Sequence, residues 1–139
     1  RISSNLSVFG QPERNLGILP AWGGTQRLMY IMGEARAKEI ILTGKKDYRA
    51  EVLYQYGFIN EVVDDEQLQE RVEEVAKQIS EGPPLAQGMI KQAMLIGRND
   101  IKKGFDVERE GLGQLIGTED LIEGMSAFMS KRDPEFKGK

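Results

Sequence analysis

A single carboxylate, Glu13, follows Gln11 and Pro12 and precedes a glycine-rich turn between Gly17 and Gly24. Glycine has no Cβ and adopts positive φ values readily, so the backbone amides of such a turn can approach a ligand closely. A carboxyl group at this place can transfer a proton to or from a molecule that the amides hold. Glu13 is therefore the leading candidate for acid–base chemistry in this chain.

The composition restricts which other chemistries the chain can perform. Its 139 residues include no histidine and no cysteine. This excludes Ser-His-Asp and Cys-His arrangements within the chain, disulfides, and zinc sites built on histidine or thiolate ligands. A formal net charge of −3 gives no reason to expect a nucleic acid or an anionic membrane as partner. We expect a cytoplasmic globular protein with no metal site and no membrane span.

The elements that must position Glu13 are predicted from the spacing of apolar residues. A short strand around Val8 and Phe9 precedes the carboxylate, and the segment 58–63 predicts a second strand. Apolar periodicity, caps and stops predict about seven helices, at 25–32, 34–42, 50–56, from the Asp64–Asp65 cap to Gly82, 85–97, 101–116 and from Thr118 to about Met129. The chain is thus predicted to be mostly helical, with two or three short strands that lack partners for an independent sheet.

Four segments of the chain resemble the crotonase superfamily, the enoyl-CoA hydratases and isomerases. They are Gln11-Pro12-Glu13, the loop Pro20–Gly24, the run Thr25–Leu28 and the C-terminal stretch Glu119–Gly138. The resemblance covers nearly all of the chain but only the C-terminal half of a crotonase domain, as expected if the chain begins inside a larger protein. It implies an α/β fold, the crotonase-like ββα spiral, with residues 1–63 in the spiral core and residues 64–139 in a helical oligomerisation region.

The resemblance also implies roles for individual side chains. Glu13 matches the second catalytic glutamate of the family, which acts with another glutamate to add water across an α,β double bond. Phe128 and Lys131 match the phenylalanine and lysine that contact the adenine and a phosphate of CoA, often from a neighbouring subunit. A lysine ammonium is a suitable point charge for a phosphate group.

The loop formed by Ala21, Trp22 and Gly23 matches the segment whose amides help to hold the reacting water or the substrate. The family usually has glycine at the position of Ala21. The backbone N–H survives this change, but a positive φ at that position would be costly for alanine. Trp22, the only tryptophan, is equally consistent with a wall of the acyl pocket and with a packing role.

The expected function is that of an enoyl-CoA hydratase, a lyase of fatty-acid and acyl-CoA metabolism that converts 2-enoyl-CoA to 3-hydroxyacyl-CoA. The resemblance implies an acyl-CoA thioester substrate, no cofactor beyond the CoA of that substrate, and a homo-oligomer, either a trimer or a hexamer. One alternative is a Δ3,Δ2-enoyl-CoA isomerase or another crotonase reaction, and a second is a non-catalytic fragment that supplies CoA affinity and subunit contacts. The oxyanion hole and the first glutamate of the family lie upstream of the matched region, so the chain alone is expected to be inactive.

Overall fold

The computed structural model describes every residue from Arg1 to Lys139. It divides the chain into two compact units, Arg1–Glu74 and Val75–Lys139. This division falls within a helix and lies later in the chain than the predicted functional division between residues 63 and 64, which stays a prediction. All strands and the first three helices belong to the first unit, and the last three helices belong to the second.

Short strands alternate with helices in the first unit. Its elements are strands β1 (Ile2–Ser4) and β2 (Val8–Phe9), a 3₁₀ turn (Glu13–Leu16), helices α1 (Gly24–Met32) and α2 (Glu34–Thr43), strand β3 (Tyr48–Arg49), helix α3 (Ala50–Gln55) and strand β4 (Glu61–Val63). Gly33 ends α1 with a φ of +83°, and its amide donates to the carbonyl oxygen of Met29 (3.0 Å). The predicted helices of this unit are confirmed to within one residue at each end.

The four strands form two separate pairs. β1 pairs in parallel with β4, with Ile2 opposite Glu61, and β2 pairs antiparallel to β3, with Val8 opposite Arg49. The expectation that the predicted strands have no partners within the chain is therefore wrong. β1 and β3 supply these partners, but each is too short to show an alternating apolar pattern, so the sequence predicted two or three strands where there are four.

The core of the first unit forms around α1, α2 and α3. Its buried side chains are Leu28, Met32, Ala37, Ile40, Tyr48, Ala50, Leu53 and Ile59. The ring of Phe9 packs at the margin and meets the ring of Phe58 edge-on, with 6.2 Å between the ring centroids. This core therefore fixes β2 and α1, the two elements on either side of the Glu13 turn.

Helix α4 (Leu68–Ser80) has the predicted amphipathic pattern, but none of its residues is buried. Asp64 and Asp65 precede it and were expected to cap it. Their carboxylates instead accept hydrogen bonds from the end of β1, from Asn5 Nδ2 (2.8 Å) and Ser4 Oγ (2.5 Å) respectively. The two acidic side chains thus fasten β1 to the start of the helical segment.

The second unit contains helices α5 (Pro84–Gly97), α6 (Ile101–Leu115) and α7 (Glu119–Ser130). Both α6 and α7 begin with a side-chain cap. The carboxylate of Asp100 accepts from the amides of Lys102 (3.1 Å) and Lys103 (3.2 Å), and the hydroxyl of Thr118 accepts from the amide of Leu121 (3.2 Å). None of the helices is both long enough and apolar enough to span a bilayer.

Helices α5 and α6 come into close contact at two glycines, Gly97 and Gly104. A Cβ atom on Gly104 would lie 2.6 Å from the Cα of Gly97, which is a steric clash. Gly104 is buried, as are Ala93 on α5 and Gly111 on α6. Small residues therefore allow the backbones of these two helices to touch.

Candidate active site

Glu13 is the first residue of the 3₁₀ turn that follows β2. Pro12 precedes it with a φ of −87°, and the amide of Asn15 donates to the carbonyl oxygen of Pro12 (2.8 Å). Gly17 ends the turn with a φ of +76°, where its amide donates to the carbonyl oxygen of Arg14 (3.1 Å). Proline and glycine thus set the two ends of the turn that carries the carboxylate.

The turn is also attached to the end of α2. The side-chain amide of Asn15 donates to the carbonyl oxygen of Gly44 (2.9 Å). A Cβ atom at Gly44 would lie 2.5 Å from Arg14 Cδ and 2.5 Å from Asn15 Oδ1, and the φ of Gly44 is +61°. A side chain at this position would displace those of Arg14 and Asn15, and the positive φ favours glycine. The end of α2 therefore helps to hold the turn that carries Glu13.

The two carboxylate oxygens of Glu13 have different surroundings. Oε1 accepts a hydrogen bond from Gln11 Nε2 (2.8 Å), while Oε2 is buried and has no hydrogen-bond partner. Buried polar atoms in proteins are nearly always hydrogen-bonded, so an unpartnered carboxylate oxygen needs an explanation, and a role in ligand binding or catalysis is one. The Gln11 amide lies close to Gly24, where a Cβ atom would come within 3.1 Å of Nε2.

The loop between Pro20 and Gly24 leads from the turn into α1. Trp22 and Gly23 have positive φ values, +49° and +85°, whereas Ala21 does not. The expected strain at Ala21 is therefore absent and falls on Trp22, where a left-handed conformation costs about 1–2 kcal/mol. The amide of Ala21 makes no hydrogen bond within the chain, and the Trp22 side chain is 95% exposed, which makes a packing role for Trp22 within this chain untenable.

Phe128 and Lys131, the predicted CoA contacts, lie at the end of α7 in the second unit. The Phe128 side chain is 86% exposed. Lys131 ends the helix in the left-handed conformation, with φ of 51° and ψ of 44°, a position where glycine is the usual residue. A left-handed lysine costs about 1–2 kcal/mol, so the residues around it must hold this conformation.

Three charged residues interact near the C-terminus, namely Asp120, Glu123 and Arg132. The sequence did not indicate them as site residues. The guanidinium of Arg132 binds both carboxylate oxygens of Glu123, with Nη1 at 2.5 Å from Oε1 and Nη2 at 2.8 Å from Oε2. This pairing, together with a hydrogen bond from the Glu135 amide, lowers the pKa of Glu123 to about 2. Asp120 is only 5% exposed and accepts hydrogen bonds from two backbone amides near the C-terminus.

Arg132 and Asp120 thus both have specific partners on this face of α7. The sequence carried a signal for this arrangement, because Asp120 and Glu123 are three residues apart and therefore share one face of the helix. Nothing in the spacing shows that the chain folds back along that face.

A groove of about 350 Å³ lies beside α7 and is almost entirely apolar. The start of α5, the end of α6, the residues Leu121, Met125 and Phe128 of α7, and Phe136 line it. The cavity beside Gln11 in the first unit is much smaller, about 70 Å³. No three acidic side chains in the chain are grouped closely enough to hold a metal ion.

A family profile decides what kind of protein this is. The profile described as enoyl-CoA hydratase/isomerase matches residues 1–139, the whole chain. The chain belongs to the enoyl-CoA hydratase/isomerase family. Its resemblance to the crotonase superfamily is thereby confirmed.

Individual relatives within the enoyl-CoA hydratase/isomerase family are similar over most of this chain. It is 42% identical to the short-chain-enoyl-CoA hydratase of Clostridioides difficile, over 92% of this chain and 83% of that protein. It is 38% identical to the short-chain-enoyl-CoA hydratase of Clostridium acetobutylicum, over 97% of this chain and 52% of that protein. It is 39% identical to the probable enoyl-CoA hydratase 2, mitochondrial, of Arabidopsis thaliana, over 99% of this chain and 46% of that protein. The chain therefore spans about half the length of the last two relatives.

Solved structures of family members have the same fold. The enoyl-CoA hydratase from Bacillus anthracis matches with a TM-score of 0.95 and 36% identity, over 100% of this chain and 54% of that chain. An enoyl-CoA hydratase structure from Geobacillus kaustophilus matches with a TM-score of 0.92 and 40% identity, over 99% and 54%. The predicted α/β crotonase fold, mostly helical in this segment, is confirmed.

The structure places the predicted site residues in two groups. Glu13 and the loop Ala21–Gly23 lie in the first unit, on the turn and the loop that flank β2 and α1. Phe128 and Lys131 lie in the second unit, at the end of α7. Their assignments as catalytic, water-positioning and CoA-binding residues stay predictions.

Proposed function

We propose that this chain forms part of an enoyl-CoA hydratase, which adds water reversibly to 2-enoyl-CoA and gives 3-hydroxyacyl-CoA. The observation that supports this most directly is the asymmetric environment of Glu13 in a member of this family. One oxygen is held by Gln11, while the other is buried without a partner. A catalytic carboxyl group needs this combination of a fixed orientation and one oxygen available to the substrate.

In the proposed reaction, the oxygen of water bonds to Cβ of the enoyl group and a proton is delivered to Cα. Glu13 Oε2 would give its proton to Cα. The companion glutamate of the family would take one proton from the water, whose other proton stays in the new hydroxyl group on Cβ, and the proton taken up would then restore the Glu13 carboxyl group. Oε1 would remain with Gln11 throughout. The free amide of Ala21 would hold the reacting water.

CoA recognition is assigned in this proposal to Phe128 and Lys131. The exposed ring of Phe128 offers a flat apolar surface on which adenine can stack. The ammonium group of Lys131 would pair with a phosphate of CoA. No cofactor other than the CoA of the substrate is proposed, and a cytoplasmic location remains part of the proposal.

The test is the substitution Glu13→Gln in the protein encoded by the whole gene. The amide has the size of the carboxyl group but cannot transfer a proton, so we expect kcat for crotonyl-CoA hydration to fall by about 10²–10⁴ with little change in CoA affinity. The rate is followed by the loss of absorbance of the conjugated thioester. Hydration at the wild-type rate would remove Glu13 from the mechanism.

The same preparations distinguish the hydratase from its alternatives. A wild-type protein that converts 3-enoyl-CoA to 2-enoyl-CoA, but does not hydrate the product, is an isomerase. A protein that binds CoA and converts neither substrate is a non-catalytic member of the family. Glu13→Gln would leave CoA binding intact in that last case.

A further inference from the structure

The residues after α7 fold back along the same helix. Residues 132–139, which we call the C-terminal strap, are attached to α7 by backbone amides. The amide of Glu135 donates to Glu123 Oε1 (2.9 Å), and the amides of Lys137 and Gly138 donate to Asp120 Oδ1 (2.7 Å) and Oδ2 (2.9 Å). Two acidic side chains on one helix face thus bind three amides of the strap.

Side chains of the strap add further contacts along the same face. The ring of Phe136 lies against Gly124, where a Cβ atom would be 3.5 Å from the ring. Ala127, one turn further along this face, is 1% exposed. Near its end the strap reaches α5, because a Cβ atom on Gly138 would lie 3.0 Å from Pro84 Cγ. The strap is therefore fastened along most of the length of α7 and does not hang free in solvent.

Lys131 is the residue at which the chain reverses direction. Its left-handed conformation directs the backbone from the helix into the strap, and the amide of Arg132 then donates to the carbonyl oxygen of Ala127 (3.1 Å). Since glycine is favoured at this position and lysine is not, the conformation depends on contacts made by the strap. The residue after Lys131 makes the first side-chain contact of the strap, the bidentate pair of Arg132 with Glu123.

We propose that Glu123 and Arg132 are positioning residues for the CoA contact. They hold the backbone of Lys131 in its left-handed conformation, so that the lysine ammonium and the ring of Phe128 are presented together to the nucleotide of CoA. Neither positioning residue touches CoA. The inference rests on the proposed function for its ligand, and on the strap geometry for its mechanism.

The experiment uses two variants, Glu123→Gln and Arg132→Gln, in the protein encoded by the whole gene. Each removes the ion pair. Glu123→Gln keeps the length of the side chain, whereas Arg132→Gln also shortens it. We expect KM for crotonyl-CoA and the dissociation constant of CoA, measured by calorimetry, to rise about tenfold, as for the loss of one charge-assisted contact. Rates with the crotonyl thioester of N-acetylcysteamine, which lacks the nucleotide, should stay at the wild-type value.

A matched control is Asp106→Asn, which removes the exposed pair of Asp106 and Arg109 (2.7 Å) on α6. This is also an arginine–carboxylate pair, but it lies within one helix and does not involve the strap, so KM should not change. Hydrogen exchange at the amides of Glu135, Lys137 and Gly138 reports independently on whether the strap has been released.

The outcomes separate this inference from the proposed function. Released strap amides with an unchanged CoA dissociation constant would overturn the positioning role, as would an equal loss of activity with both thioesters. A wild-type protein that binds CoA but hydrates nothing, with CoA binding weakened in both variants, would overturn the proposed reaction and support the positioning role. A wild-type protein that does not bind CoA would overturn both.

Discussion

At Glu13, a neighbouring amide gives the two oxygens of one carboxylate different surroundings. Gln11 Nε2 donates a hydrogen bond to one oxygen, and the other is buried without a hydrogen-bond partner. Gly24 contributes by lacking a side chain, because a Cβ atom there would press on the amide of Gln11 and on the ring of Pro20, 2.9 Å away. Orientation of the carboxylate therefore depends on residues that carry no charge themselves.

The role of Gln11 is tested by the substitution Gln11→Leu. Losing a hydrogen bond to a charged group costs about 1.5–3 kcal/mol, so we expect kcat/KM for crotonyl-CoA to fall about ten- to hundredfold. The control is Gln69→Leu, which removes an equivalent bond from Gln69 Nε2 to Glu73 Oε1 (2.7 Å) on the exposed surface of α4. If Gln11→Leu is as active as this control, Gln11 does not orient the catalytic group.

The sequence located Glu13 but did not predict its hydrogen bond or the strain beside it. A motif identifies which residues meet, whereas a hydrogen bond depends on side-chain rotamers and backbone angles that only the folded chain defines. A positive φ would be costly at Ala21, where the family usually has glycine, but the positive φ of this loop falls on Trp22. The residue type at a position shows whether a positive φ there would be costly. It does not show at which position of the turn the positive φ falls.

At the scale of elements, the strap makes contacts with α7 that the apolar periodicity of the helix does not predict. The apolar pattern and the Thr118 cap were sufficient to predict α7, and both are local. The strap depends on contacts between residues nine to eighteen positions apart. The short strands were difficult to predict from the sequence for the same reason, because β1 is defined by its pairing with β4 and not by a pattern in its own residues.

The ion pair of the strap predicts a pH dependence. Arg132 and the Glu135 amide lower the pKa of Glu123 to about 2, from 4.5 in an unfolded chain. A carboxylate with a lowered pKa stabilises the folded state above pH 4.5, and this contribution is lost as the pH falls from 4.5 to 2. We expect strap amides to exchange faster across this window, relative to the interior amides of α6.

The control for this dependence is the variant Glu123→Gln, in which no carboxyl group titrates at that position. Its strap amides should already exchange fast at neutral pH and should change much less between pH 4.5 and pH 2. Parallel acceleration in the wild type and in the variant would show that another group causes the effect.

At the scale of the whole molecule, the proposed catalytic residue Glu13 would supply only part of a hydratase site. The 139-residue chain offers one candidate carboxylate, and the cavity beside Gln11 holds about 70 Å³, whereas small-molecule sites usually hold about 300–1,000 Å³. We expect the isolated chain to hydrate crotonyl-CoA no faster than a buffer control, because loss of even one oxyanion donor costs about 10²–10³ in rate. Glu13→Gln in the isolated chain gives the matched baseline, and turnover that disappears in this variant would contradict the expectation.

The distribution of apolar surface predicts self-association. No residue of α4 is buried, and Met94, Phe128 and Met129 are 72%, 86% and 81% exposed. Apolar surface of this extent commonly marks an interface between subunits. Light scattering at micromolar concentration should therefore give a mass of three or six chains. A strictly monomeric mass in moderate salt would count against the trimer or hexamer that the family resemblance implies.

The glycine contact between α5 and α6 limits how this chain can diverge over evolution. Gly104 touches no proposed ligand, yet it has no space for a methyl group, because its Cβ would lie 2.6 Å from the Cα of Gly97. Replacement by alanine must push the helices apart, and no change at Gly97 can compensate, since the atom in the way belongs to the backbone. In a population under selection for activity, Gly104 would therefore remain glycine as strictly as an active-site residue, although its constraint is entirely one of space.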